Sequence, residues 1–288
     1  MTEDRENKGT FAFPPGHFYS PVPSIREIKL REEYIFDQWP ETLPGIDLHV
    51  PGQLALLDAF RKFYPEFPFG AERKEGLRFF RNNPSYGHSD ALILYCMLRF
   101  LKPKRIIEIG SGFSSCLTLD VNELFMENRM ECTFIEPYPE LLRSLLRDTD
   151  TPNIEIIPGR LQEVDTELFS ALSPSDILFI DSTHVAKVDS DVNHIFFRIL
   201  PGLRPGVSIH FHDIFYPFEY PKNWFYEGLA WNEAYILRAF LQHNPSYRIA
   251  FFNTYLAYFH PEKFFRDIPF PLDYVGGSLW IEKVQGSE

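Results

Sequence analysis

The sequence has 288 residues, 44% of them hydrophobic and 16% aromatic, enough to bury one large core or a core with a cap. Forty acidic residues against 28 Lys and Arg give a formal charge of -12. That balance opposes the phosphate neutralisation on which nucleic-acid binding depends and points to a small-molecule partner. The most apolar run, from Ala91 to Leu98, stops at Arg99 and is too short to cross a bilayer, so no membrane association is expected.

The first ten residues, MTEDRENKGT, have the character of neither a secretory signal nor a transit peptide, which places the chain in the cytoplasm. Prolines 14, 15, 21 and 23 favour extended, loop-like backbone. Apolar residues at helical spacing follow over 52–64. Residues 1–80 therefore read as an arm or cap, and 81–288 as the main domain.

Ser89 is the expected N-cap of a helix that must end before Pro103. Beyond it, short apolar runs alternate with helical patterns. Strands are expected over 105–110, 132–136, 153–159, 176–181 and 207–213, with helices over 114–127, 140–148, 164–172 and 187–200 between them. A helix near 231–241 precedes two closing strands, 247–259 and 277–284. The expected fold is α/β, a Rossmann-like sheet of seven mostly parallel strands with an antiparallel last strand. Cys96, Cys116 and Cys132 lie in apolar segments without metal-like spacing and read as reduced core thiols.

Ligands of such sheets sit beyond the carboxyl ends of the strands. Those ends carry Glu108, Gly110, Gly112, Glu136, Gly159, Asp181, His212 and Asp213. The third glycine of the dinucleotide fingerprint is missing after Gly110-Ser111-Gly112. A carboxylate at Glu108 would repel a pyrophosphate and attract an ammonium group, which S-adenosylmethionine has. Glu136, closing the second strand, suits an acid that accepts hydrogen bonds from ribose hydroxyls. His210 and His212 alternate along one strand and so share a face. His194, in an apolar helix, reads as a satisfied core residue.

The string Glu108-Ile109-Gly110-Ser111-Gly112, the acid turn FIEPYP and DILFIDSTH resemble the core of class I S-adenosylmethionine-dependent methyltransferases over residues 80 to 285. NNPSYGHSDALILY and IHFHDIFYPFEYPKNW are similar to one bacterial subgroup of them. The resemblance implies that Glu108 and the loop of Gly110, Ser111, Gly112, Ser114 and Ser115 hold the methionine end. It implies Glu136, with Pro137 and Tyr138 in the acid turn, at the ribose, Gln162 beside the adenine, and Tyr86 and Ser89 closing over the methionine moiety.

A more distant likeness is to metal-dependent O-methyltransferases of the catechol type. There an Asp ends the fourth strand with a Lys three positions later, and an Asp-Asn pair ends the fifth. Here Asp181 is followed by His184, and His212-Asp213 ends the fifth strand. The likeness implies Asp181, His212 and Asp213 as ligands of a divalent metal such as magnesium. It also implies His184 or His212 as general base, with Asp181 near the sulfonium.

The aromatic stretch 214–233 reads as a lid, with Tyr216, Tyr220 and Trp224 facing an acceptor. O-methylation of a small-molecule hydroxyl, on a sugar or a secondary metabolite, is the leading expectation. An NAD-dependent oxidoreductase and a non-catalytic cofactor-binding scaffold are the alternatives. A homo-oligomer is compatible with the sequence.

Overall fold

The computed structural model describes residues 12–150, 154–272 and 274–284; the amino-terminal decapeptide and Asn153, both used above, lie outside the described residues. Seven strands form one sheet: β1 (Arg105–Ile109), β2 (Glu131–Ile135), β3 (Ile154–Ile157), β4 (Ile177–Ile180), β5 (Ser208–His212), β6 (Tyr247–Phe252) and β7 (Ser278–Lys283). Their order is β3-β2-β1-β4-β5-β7-β6, and only β7 runs antiparallel to its neighbours. The chain reverses direction of progress between β1 and β4, which places a ligand crevice beyond their carboxyl ends. β4 and β5 are buried at every residue, as inner strands covered on both faces must be.

The helix His88–Leu101 is buried all round from Ala91 to Leu98, so it is an interior helix and not an amphipathic surface one. Lys102, in the left-handed region, and Pro103 end it. Gly87, and not Ser89, occupies the N-cap. Ser89 lies inside the first turn, where its hydroxyl accepts from Asn253 Nδ2 (3.1 Å) and the Gly276 amide (3.3 Å).

Asn253 also explains a second difference. The apolar run 247–259 is strand only as far as Phe252; Asn253–Phe259 is helical. The buried Asn253 amide bonds Asp90 Oδ1 at 2.8 Å, which turns the chain away from the sheet. The segment 187–200 is likewise broken, into Asp191–His194, a wider π turn Ile195–Ile199 and Leu200–Gly202.

The amino-terminal segment packs on the carboxy-terminal half of the sheet and on residues 214–233. Leu57 and Phe60 of the helix Val50–Phe60 belong to the same core as the strands, and Gln53 Oε1 accepts from the Phe252 amide at 2.8 Å. Glu32 meets Lys222 at 2.7 Å and the Tyr226 hydroxyl at 2.6 Å. Cys96, Cys116 and Cys132 are free and buried. Among the described residues no helix is long and apolar enough to cross a membrane.

Candidate functional site

The loop leaving β1 is fixed first by Gly110. Its φ is +78°, and a Cβ there would stand 1.7 Å from the Asp181 carbonyl oxygen. Only glycine lets the ends of β1 and β4 approach this closely. Gly110→Ala is accordingly expected to cost about 3 kcal/mol or more, read by urea unfolding. Gly112 differs: its backbone is extended, and an added Cβ would meet only a Leu141 methyl at 3.7 Å. Its amide donates to Ser115 Oγ at 3.1 Å, which closes the first turn of the helix Phe113–Met126.

Glu108 is fully buried behind this loop. Its Oε1 accepts from the Ser114 hydroxyl, while Oε2 has no partner. Burial pushes the carboxyl up to about 8, against the lowering effect of the Ser114 and Ser115 hydroxyls. The buried hydroxyls of Ser111 and Ser182 are also unpartnered. Three unsatisfied polar atoms around one strand junction are costly unless a ligand uses them.

Above them lies a cavity of ≈ 430 Å³. Gly110, Glu136, Pro137, Tyr138, Gln162 and Asp181 line it, so six of the cofactor residues expected from sequence meet there. Glu136 accepts from the Tyr138 amide at 2.8 Å and the Ser111 amide at 3.3 Å, which aims its carboxylate along the rim. Gln162 donates to the Asp189 carbonyl oxygen at 2.5 Å. Leu161, Thr183 and Lys187 also line it; Thr183 belongs to the DILFIDSTH string, and none of the three was assigned a role from sequence. Thr183 is pinned by Asp191, its hydroxyl donating to Oδ1 at 2.6 Å.

Tyr86 and Ser89 are elsewhere. Tyr86 is buried with its ring 5.1 Å from that of His212, and its hydroxyl donates to the Asp90 carbonyl oxygen at 3.3 Å. Ser89, committed to Asn253 and Gly276, does not line the cavity.

The ends of β4 and β5 bring a second group together. One ligand atom from each of Asp181, His212 and Asp213 lies within 4.8 Å of the others, the set expected from sequence. His184 and Asp213 both hold left-handed backbone angles, φ +58° and +56°, which non-glycine residues adopt at a cost. His184 Nε2 lies 3.3 Å from Asp181 and 3.7 Å from Asp213, and Nδ1 lies 2.8 Å from Glu233. Burial works against the charged ring, but Asp181 and Glu233 outweigh it and lift His184 to about 10. It is therefore an imidazolium at neutral pH. Burial likewise disfavours ionised Asp181, yet His212 and His184 hold it below the usual carboxylate range.

Glu233 was missed by sequence reasoning. It opens the helix Glu233–Leu241, where an acid reads as an ordinary first-turn residue, but it is fully buried against His184. His210, by contrast, does not join the rim. It is fully buried, stacked on Phe179 with 4.0 Å between ring centroids, and bonded to Ser278 at 3.1 Å. Burial holds its pKa well below normal, so it is a neutral core histidine.

Tyr216 and Tyr220 are also core residues. The Tyr216 hydroxyl donates to the Pro40 carbonyl oxygen, and the Tyr220 hydroxyl accepts from the Ala234 amide at 3.0 Å. His194 is half-buried with Nε2 unpaired, unlike the satisfied core residue expected.

Residues 107–214 match a family model described as a methyltransferase domain. An uncharacterized protein of Archaeoglobus fulgidus is 38% identical over 170 residues, which are 57% of this chain and 76% of that relative. The chain carries a methyltransferase domain over residues 107–214. Among solved structures, the SAH-bound methyltransferase PaMTH1 of Podospora anserina is 15% identical, with 92% of this chain and 99% of that one covered at a TM-score of 0.44. Cofactor-bound Rv0187 from MTB is 16% identical over the same shares, with a TM-score of 0.45.

The enzyme is thus an S-adenosylmethionine-dependent methyltransferase, which removes the NAD-dependent reading. Its residues fit that cofactor: the unpartnered Glu108 oxygen suits an ammonium group, and the orphaned Ser182 hydroxyl belongs to a residue on the cavity wall.

Proposed function

We propose that this methyltransferase moves the methyl group of S-adenosylmethionine to a hydroxyl oxygen of a small acceptor, with a divalent ion at Asp181, His212 and Asp213. The convergence of those three side chains at the ends of β4 and β5, beside the Glu136-lined cavity, carries the proposal. Two carboxylates and one imidazole form a donor set suited to a divalent cation with positions left for acceptor oxygens. When bound, S-adenosylmethionine supplies a methyl group on a sulfonium sulfur and the ion supplies a Lewis acid.

The chain's own residues then have separable tasks. Glu108 holds the ammonium end and Glu136 the ribose; Gln162 and Leu161 border the adenine. The acceptor oxygen forms a bond to the methyl carbon, the carbon–sulfur pair returns to sulfur, and S-adenosylhomocysteine leaves. Holding the two reactants in line supplies much of the rate. The hydroxyl proton passes to His184 Nε2, which faces the rim while Glu233 fixes the opposite ring nitrogen. Asp181, whose charge raises His184, is taken up by the ion, so ion binding frees the ring to accept the proton. His212, the other histidine considered as base, is assigned to the ion.

Glu233→Gln is expected to lower kcat at least roughly tenfold while leaving S-adenosylmethionine affinity within about a factor of two. Steady-state kinetics beside calorimetric binding read the two effects separately. The reaction class is tested by incubating the protein with labelled S-adenosylmethionine and a panel of phenols, catechols and sugars, then locating the label by NMR. Label on oxygen, abolished by a chelator, supports the proposal. Label on nitrogen or carbon, or transfer indifferent to chelation, overturns it.

A further inference from the structure

The arm and residues 214–233 border an open groove of ≈ 630 Å³ that none of the expected cofactor residues touches. Its walls are aromatic: Trp39 from the arm, Phe215 and Trp224 from residues 214–233, Tyr258 from the helix Asn253–Phe259, and Tyr274. Trp39 and Tyr258 lie face to face, 4.4 Å between centroids and 15° between planes. Phe215 and Trp224 meet edge to face at 5.3 Å. The rings thus offer both faces and edges to a flat guest.

This groove abuts the reacting rim. Phe215 follows Asp213 by two residues, and the Gly277 backbone is pressed so near both that a Cβ there would stand 2.6 Å from the Phe215 ring and 3.0 Å from Asp213 Cα. On the other side the Trp224 ring touches Trp231 at 5.1 Å, and Trp231 touches His184 at 4.4 Å. The rings of Phe215 and Trp231 therefore stand between the groove and the rim of Asp213 and His184, and a guest's end reaches the rim past them.

Its chemistry follows from what the walls lack. Among the described residues no Lys, Arg, Asp or Glu lines the groove. An anionic guest would find no cation to pair with, beside a rim already carrying Asp181 and Asp213. Asn223 and Thr254 are the only polar, non-aromatic side chains in the wall, and Thr254 Oγ1 already accepts from the Tyr216 amide at 2.8 Å. A sugar, with hydroxyls around its whole ring, would leave several unsatisfied.

We propose that the aromatic groove between the arm and residues 214–233 binds the body of an uncharged, planar aromatic alcohol and presents its hydroxyl end to the Asp213 rim. Its role as acceptor site rests on the O-methyl transfer proposed above; its selectivity for flat neutral guests does not.

Quenching of tryptophan fluorescence by a vicinal dihydroxynaphthalene tests the assignment, with its sulfonate, methyl glucoside and trimethylanilinium as matched probes. Tyr258→Ala removes one wall at a half-exposed position, and Ala257→Trp fills the space. S-adenosylmethionine affinity is measured by calorimetry on each preparation. The neutral diol is expected to bind saturably, at least tenfold more weakly in both variants, with the sulfonate tenfold weaker still than the diol in wild type and the glucoside not detected. Cofactor affinity should stay within twofold.

Equal binding of the sulfonate or glucoside, tighter binding of the cationic probe, indifference to both substitutions, or no binding of the diol would each overturn the assignment. Diol binding as expected in a protein that does not bind S-adenosylmethionine would retain the groove and remove the methyl-transfer reading instead.

Discussion

Glu108→Gln is expected to weaken S-adenosylmethionine binding by about a hundredfold and, without cofactor, to resist unfolding better than wild type at alkaline pH. The first effect is the loss of a buried charge-assisted contact, roughly 3 kcal/mol. The second comes from the same burial. The folded Glu108 carboxyl titrates near 8, whereas an unfolded glutamate does so at about 4.3.

A raised carboxyl pKa means that the native state holds the proton over that window. Wild-type stability therefore falls as pH rises from the unfolded value through 8, and levels above it. Glutamine has no proton to lose, so the gap between variant and wild type should widen from pH 5 to pH 8.5, to roughly 2–4 kcal/mol. Urea unfolding at the two pH values measures it. A gap that does not change with pH would show that Glu108 is ionised throughout. The same linkage predicts that cofactor binding at pH 7 releases about one proton, visible as a dependence of the binding heat on the buffer.

Asp213→Asn is expected to slow methyl transfer about a thousandfold, roughly 4 kcal/mol of barrier, with S-adenosylmethionine affinity within about a factor of two of wild type. Asp213 stands at the end of β5, on the rim but not on the wall of the Glu136-lined cavity, so cofactor contacts should survive its replacement. What the substitution removes is one of only two carboxylates in the proposed ion site. Chelation of wild type should reproduce the loss, and added magnesium or manganese should restore wild type but not the variant. A variant that keeps full activity, or a wild type insensitive to chelation, would restrict Asp181, His212 and Asp213 to placing the acceptor.

Much of this arrangement was legible in the sequence because strand ends in a parallel sheet are positions of known consequence. Alternating apolar runs located all seven strands, and the residues that end them, Glu108, Glu136, Asp181, His212 and Asp213, could be placed on one rim before any coordinates. The failures have a common cause in long-range contacts. The run after Phe252 is apolar with a period that suits strand or helix, and only the buried bonds of Asn253 to Ser89 and Asp90 decide it.

Ser89 looks like a cap because serine before an apolar helix usually is one, yet its hydroxyl is taken by residues far along the chain. His210 and His212 share a face, but alternation does not say that one lies under Trp280 and Phe179 while the other reaches the rim. Glu233 was invisible because its significance lies wholly in His184, 49 residues earlier. Trp39 and Tyr258 stack across an even longer separation, so no local pattern could announce the groove they help to line.

The most direct measurement is a calorimetric titration of the purified protein with S-adenosylmethionine, with and without magnesium, beside a Glu108→Ala/Glu136→Ala variant. One site per chain, lost in the double variant and tightened or accompanied by magnesium binding in wild type, is the predicted result. A wild type that takes up no cofactor, or a double variant that binds it as tightly as wild type, would contradict the placement of the site between β1 and β4.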